Sequence, residues 1–215
     1  MTLQLDEQNQ AIALTDTMAE AGRKILAEQL CKMQQHVDGS RTGEDIESVH
    51  QMRVATRRMR SLFKLLGMYY QPKFVTKYNR SLRDIARALG YIRDLDVMIL
   101  DLQEFQSTLP EDVQMIMESV ILKFEKQRHK HRLKLNTLFD SKVYAKFVRR
   151  FGKFTVKPGQ GAIPIVDEEV PYQVRHVLPV ILHERLAAVR AYDTVLDGAE
   201  DETRHALRVE FKQLR

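Results

Sequence analysis

Residues 49–60 read VHQMRVATRRMR and residues 204–215 read RHALRVEFKQLR, so a histidine followed at +3, +7 and +10 by Arg or Lys occurs twice in one chain. At about 100° per residue, His50, Arg53, Arg57, Arg60 and, at +14, Lys64 fall within an arc of roughly 80° on a helix. Met52, Ala55, Met59, Leu62, Phe63 and Leu66 fall on an adjacent arc. One helix can therefore bury an apolar stripe and still present an almost purely cationic one. His205, Arg208, Lys212 and Arg215 repeat the geometry.

A solvated basic face normally interleaves Asp or Glu at i±3 or i±4. Such pairs stabilise a helix by a few tenths of a kcal/mol each, and like charges at that spacing destabilise it by a similar amount. Arg53, Arg57 and Arg60 have no acid at those positions. The repulsion is one that an anionic ligand would relieve.

The charge is also segregated along the chain. Residues 49–93 hold eleven Lys/Arg against Asp84 alone, a net +10, twice the whole-chain value of +5. Residues 94–112 hold six acids and no Lys/Arg, and residues 123–153 hold eleven Lys/Arg against Glu125 and Asp140. Folding such blocks together would concentrate positive potential and raise the local anion concentration. Arg80, Arg83 and Arg87 share a face and form a second candidate row, with Asp84 placed to pair with Arg80 or Arg87. Lys123, Lys126, Lys130 and Lys134 share another arc and are a candidate extension.

Helical periodicity runs nearly throughout. Helices are expected over about 7–37, ended by Asp38-Gly39-Ser40; over 44–69; from Pro72 to about Leu89, with Gly90 as the stop; over 91–106; over 110–138; and over 141–151. Residues 152–171, GKFTVKPGQGAIPIVDEEVP, form the one extended Gly/Pro-rich stretch and read as a linker. Helices resume over about 172–196, with Pro179 placed to kink the first turns, and Asp197-Gly198 precedes the final segment. The expected organisation is a first helical unit at 1–151, a linker at 152–171 and the start of a second unit at 172–215. Arg93 with Asp94 and Asp96, read as lying near a helix start, is expected to form an internal salt bridge and cap.

The lone Cys31 excludes an internal disulfide framework and a CxxC zinc site, which makes a reducing compartment the expectation. The first 20 residues carry four acids and no basic residue, unlike a secretory leader, and no apolar run approaches a bilayer span.

The pattern HxxRVxxRRxRS is met by His50, Arg53, Val54, Arg57, Arg58, Arg60 and Ser61, and LGxxRDxDV by Leu89, Gly90, Arg93, Asp94, Asp96 and Val97. HxLRVxxKxLR is met by His205, Leu207, Arg208, Val209, Lys212, Leu214 and Arg215. Over roughly residues 10–215 the chain resembles the CHAD family, the conserved histidine α-helical domain. That resemblance implies an all-α fold of two pseudo-symmetric helical bundle units, with basic helices, Arg58 included, lining a central groove or pore. It implies inorganic polyphosphate as the ligand and a cytoplasmic setting in association with polyphosphate granules. The ExExK signature of the triphosphate tunnel domain that often accompanies the family does not occur here. The later helices of the family's second half have no counterpart, so the second unit is expected to be incomplete at its C-terminus.

Polyphosphate suits the stripes on chemical grounds. Guanidinium forks at one-turn spacing can engage successive phosphates of a flexible polyanion, with a steep salt dependence. A metal site is not expected, because His50 and His205 have Val54 and Val209 at +4, where a helical chelate needs a second ligand, and His129 and His131 diverge. No P-loop, HExxH or acidic cluster lies in the basic segments, so no catalytic residues and no cofactor are expected. The alternatives are a metal-dependent polyphosphate or phosphoester hydrolase using the acids at 94–112, and a helical nucleic-acid-binding protein. The stripe lacks the aromatic platforms the latter favours.

Overall fold

The computed structural model describes residues 11–167 and 169–214. Among them the chain forms eight α-helices: α1 (Met18–Gln35), α2 (Val37–Thr42), α3 (Ile46–Leu66), α4 (Pro72–Gln106), α5 (Glu111–Asp140), α6 (Lys142–Val156), α7 (Val174–Arg190) and α8 (Asp201–Leu214). A turn of 3-10 helix, Gly67–Tyr69, joins α3 to α4. The fold is all-α, as expected. Residues 7–10 of the expected first helix and Arg215 of the second stripe lie outside the described residues.

The chain separates into two compact units. One is built from Gly22–Ile163, the other from Ile12–Ala21 together with Pro164–Arg215.

The first unit is organised by α3 and α4. Asp45 caps α3, its carboxylate accepting from the backbone N–H groups of Glu47 (2.8 Å) and Ser48 (3.2 Å). Those bonds hold the carboxyl below its usual range. The apolar stripe of α3 is buried as its spacing predicts, from Val49 through Met52, Ala55, Met59, Leu62 and Phe63 to Leu66. Pro72 opens α4, where a missing N–H costs nothing. α6 lays Tyr144, Phe147, Phe151 and Phe154 inward. The rings of Phe151 and Phe154 meet Phe63, Tyr70, Phe74 and Tyr78 at centroid separations down to 4.7 Å. The Tyr78 hydroxyl donates to the Arg150 carbonyl (3.2 Å), and Arg23 of α1 donates to the Thr155 carbonyl.

Several boundaries differ from the sequence reading: residues 11–17, expected within the first helix, precede α1, and α7 ends at Arg190 rather than near 196. Asp38-Gly39-Ser40 lies inside α2 rather than breaking a helix. The chain turns instead at Gly43, whose φ of 71° is open to a residue without a Cβ, and whose open face is filled by the Arg132 guanidinium. Gly90 does not end a helix either, and α4 runs through it for 35 residues, about 52 Å. The Gly/Pro-rich stretch begins later than expected, since α6 continues to Val156. Its first part folds back by main-chain bonds, Gln71 N–H to the Gly161 carbonyl (2.8 Å) and Ile163 N–H to the Tyr69 carbonyl (2.9 Å).

In the second unit α7 and α8 pair, with Arg185 Nη1 donating to Gln213 Oε1 (3.2 Å). Pro179 sits inside α7. Residues 12–21 join this unit through an isolated bridge between Thr17 and Gln173 and a bond from Val174 N–H to the Asp16 carbonyl (2.9 Å). Among the described residues no helix is long and apolar enough to cross a membrane.

Candidate functional site: a cationic groove between two helices

α3 and α4 pack along their apolar stripes, so the cationic faces flanking those stripes approach each other. Between them lies an open groove of about 530 Å³ lined by Arg57, Arg60, Ser61 and Lys64 of α3 and by Thr76, Asn79, Arg80 and Arg83 of α4. Five of the eight lining residues are cationic and none is acidic. All five cations are exposed, and among the described residues none has a carboxylate within 4 Å in an ion pair. Asp84, placed by sequence to neutralise Arg80 or Arg87, pairs with neither. The two rows read from the sequence thus converge, the C-terminal part of the first meeting the N-terminal part of the second.

The start of the first row, His50 and Arg53, and the end of the second, Arg87, do not join the groove. Arg53 is only half exposed and turns toward α4, where its guanidinium reaches Asp94 at 4.0 Å. It rests over Gly90, where an added Cβ would lie 2.6 Å from Nη1. Gly90 is therefore the seat of an arginine, and its small size answers a close approach rather than a helix end. Replacing Gly90 by Ala is expected to displace the mobile guanidinium and to raise the urea midpoint, because the helix interior gains about 0.5–1 kcal/mol of propensity. A lowered midpoint would show that the Arg53 contact outweighs that gain.

His50 is half-buried, two turns before Arg57 on α3, and Arg58 is exposed beside the row; neither lines the groove. Arg87 is exposed one turn beyond Arg83. Lys123, Lys126, Lys130 and Lys134 are exposed on α5 and outside the lining. In the second unit His205, Arg208 and Lys212 are all exposed on α8.

The capping role read for Asp94 and Asp96 fails, because both lie deep inside α4. Only the internal salt bridge survives, with a different partner. Asp96 is buried and receives Arg128 Nη1 of α5 at 3.4 Å. Burial pushes its carboxyl above the usual range, opposed by Arg128, Arg132 and Arg93.

Ser61, Thr76 and Asn79 are groove residues that a search for charge passes over. They were legible in the spacing: Ser61 follows Arg57 by four, and Thr76, Asn79 and Arg83 recur at three or four. Among the described residues no three His, Cys, Asp or Glu side chains gather as a metal site would require.

The family model described as the CHAD domain matches residues 24–215. A solved CHAD domain from the plant Ricinus communis superposes with a TM-score of 0.70 at 21% identity, covering 98% of this chain and 67% of that one. A search of the curated proteins returned no match.

Proposed function

The chain belongs to the CHAD domain family, and from that premise we propose that it binds inorganic polyphosphate, without turning it over, in the groove between α3 and α4. The observation that carries this reading is the convergence of Arg57, Arg60, Lys64, Arg80 and Arg83 on one open groove with no carboxylate in its lining. Cations crowded without counter-charge repel one another, and a polyanion removes that repulsion as it binds. Arg57 and Arg60 on one wall face Arg80 and Arg83 on the other, so phosphates threaded between them meet forked donors from both sides. Ser61, Thr76 and Asn79 add neutral donors for the remaining phosphate oxygens. His205, Arg208 and Lys212 supply a second row on α8.

The lining favours holding over hydrolysis. Phosphoryl transfer needs a metal-holding acidic set or an activated nucleophile, and the groove offers a Ser61 hydroxyl with no base among its lining residues. Asp96, one of the acids a hydrolase would need, is buried against Arg128. No aromatic side chain lines the groove to stack a base, which places nucleic acid second.

Titration with orthophosphate, tripolyphosphate, long polyphosphate and single-stranded DNA at fixed ionic strength tests the reading. Long polyphosphate is expected to bind most tightly and to displace DNA. Tighter binding of DNA at equal salt would move the function to nucleic acid. Incubation with long polyphosphate and Mg²⁺ or Mn²⁺ is expected to release no orthophosphate above a buffer control. Metal-dependent release that disappears in Asp94→Asn would make the protein a hydrolase.

A further inference from the structure

α6 carries a second set of cations that the groove does not use. Lys142, Lys146, Arg149, Arg150 and Lys153 recur at +4, +7, +8 and +11 and fall within about 100° of helical arc. All five are exposed, while Tyr144, Phe147, Phe151 and Phe154 point the other way into the core. Among the described residues none of the five is within 4 Å of a carboxylate in an ion pair, and none lies in the groove lining. An ordinary solvated face would interleave acids.

The face is continuous with α4. Tyr78 and Phe74 of α4 stand against Phe151 and Phe154 of α6 at 4.7 and 5.6 Å, and the Tyr78 hydroxyl bonds the Arg150 carbonyl. Lys73 and Lys77 lie over those same α4 rings, at 5.2 and 5.1 Å from the Phe74 and Tyr78 centroids. Each ammonium is therefore carried on the side of α4 that α6 packs against. Arg80, which lines the groove, follows Lys77 within one turn. Cations thus step from the groove across α4 toward α6.

We propose that the outer face of α6 is a second polyanion-binding surface, which takes a further stretch of the same polyphosphate chain that the groove holds. The proposal rests on the groove being a polyphosphate site. Polyphosphate is favoured over nucleic acid because the aromatic side chains of α6 all point into the core, leaving no stacking platform among its five cations. Binding a long chain at two linked sites raises its affinity over a chain too short to span them.

The test compares tripolyphosphate and long polyphosphate on the full chain. Lys146→Gln, Arg150→Gln and Lys153→Gln together are expected to weaken long-chain binding roughly ten-fold and lower its salt slope by about 2, leaving tripolyphosphate within two-fold of the parent. The charge-preserving pair Lys146→Arg and Lys153→Arg is expected to keep the long-chain advantage. Arg57→Gln, Arg60→Gln and Arg83→Gln together are expected to weaken binding of both ligands about a hundred-fold. Unchanged long-chain affinity in the α6 triple variant overturns the proposal. So does loss of tripolyphosphate along with the long chain, or loss of single-stranded DNA binding with polyphosphate retained. Tripolyphosphate binding that survives the groove variant instead sinks the groove reading, while the long-chain comparison still reports on α6.

Discussion

Replacing Arg57, Arg60 and Arg83 together by Gln is expected to weaken long polyphosphate binding about a hundred-fold. Each of these exposed guanidinium groups, discounted for solvent screening, would contribute about 1 kcal/mol to a phosphate contact. Three such losses amount to about 3 kcal/mol, and each 1.4 kcal/mol is ten-fold in affinity. The slope of log affinity against log salt should fall by about 2, since each contact to a flexible polyanion releases about 0.7 counterion. Folding should survive, because all three residues are exposed and unpaired among the described residues and Gln keeps a good helix propensity. Arg53→Gln is the informative control. Its guanidinium sits over Gly90 beside Asp94, outside the groove lining, so its loss should cost much less than any one of the three. Isothermal titration at two salt concentrations checks both statements. A folded triple variant with parental affinity would remove the site from this groove.

Replacing Arg128 by Met is expected to destabilise the first unit by about 3–5 kcal/mol near neutral pH, the usual consequence of leaving one buried charge without its partner. Asp96 has no side-chain exposure, and its Oδ2 already lacks a hydrogen-bond partner among the described residues. Burial raises its carboxyl pKa, and Arg128 is the first of the groups that oppose the rise. Without Arg128 the folded value climbs further above the unfolded one. A carboxyl raised on folding contributes stability that is present below its unfolded pKa and is lost as pH rises through the folded value. The defect in Arg128→Met should therefore be largest at neutral pH and shrink as the solution is acidified toward the ordinary carboxylate range. Adding Asp96→Leu should recover most of the loss, because an apolar pair leaves no buried charge. Urea denaturation at two pH values reads the result. A pH-independent defect would mean that Arg128 acts through packing alone.

Neither substitution touches a residue whose environment was fully legible in the chain. The helices were, because apolar residues at three and four apart over α3, α4 and α6 need no partner to be recognised. The cationic rows were legible too, since His50, Arg57, Arg60 and Lys64 share an arc whatever that arc faces. The paired histidine motifs carried the family, and the match over 24–215 agrees with them. Two glycines were misread for one reason. Gly39 and Gly90 look like breakers in a linear chain, whereas the turn falls at Gly43, which has the positive φ that neither of them has. Gly90 is spoken for by Arg53, 37 residues earlier, and no local pattern records that approach.

Sequence alone determined that this protein is helical, that its cations lie in rows and that few acids interrupt them, because helix periodicity is a property of neighbours three and four residues apart. Tertiary structure decided which rows meet. Packing α3 on α4 brings Arg57, Arg60 and Lys64 to Arg80 and Arg83 and turns Arg53 away to Asp94, and packing α4 on α5 buries Asp96 against Arg128. Those pairings join residues up to 41 apart in the chain, as in Arg53 and Asp94. They follow from the angle at which buried stripes dock, which the apolar side chains of two helices set jointly and neither helix encodes by itself.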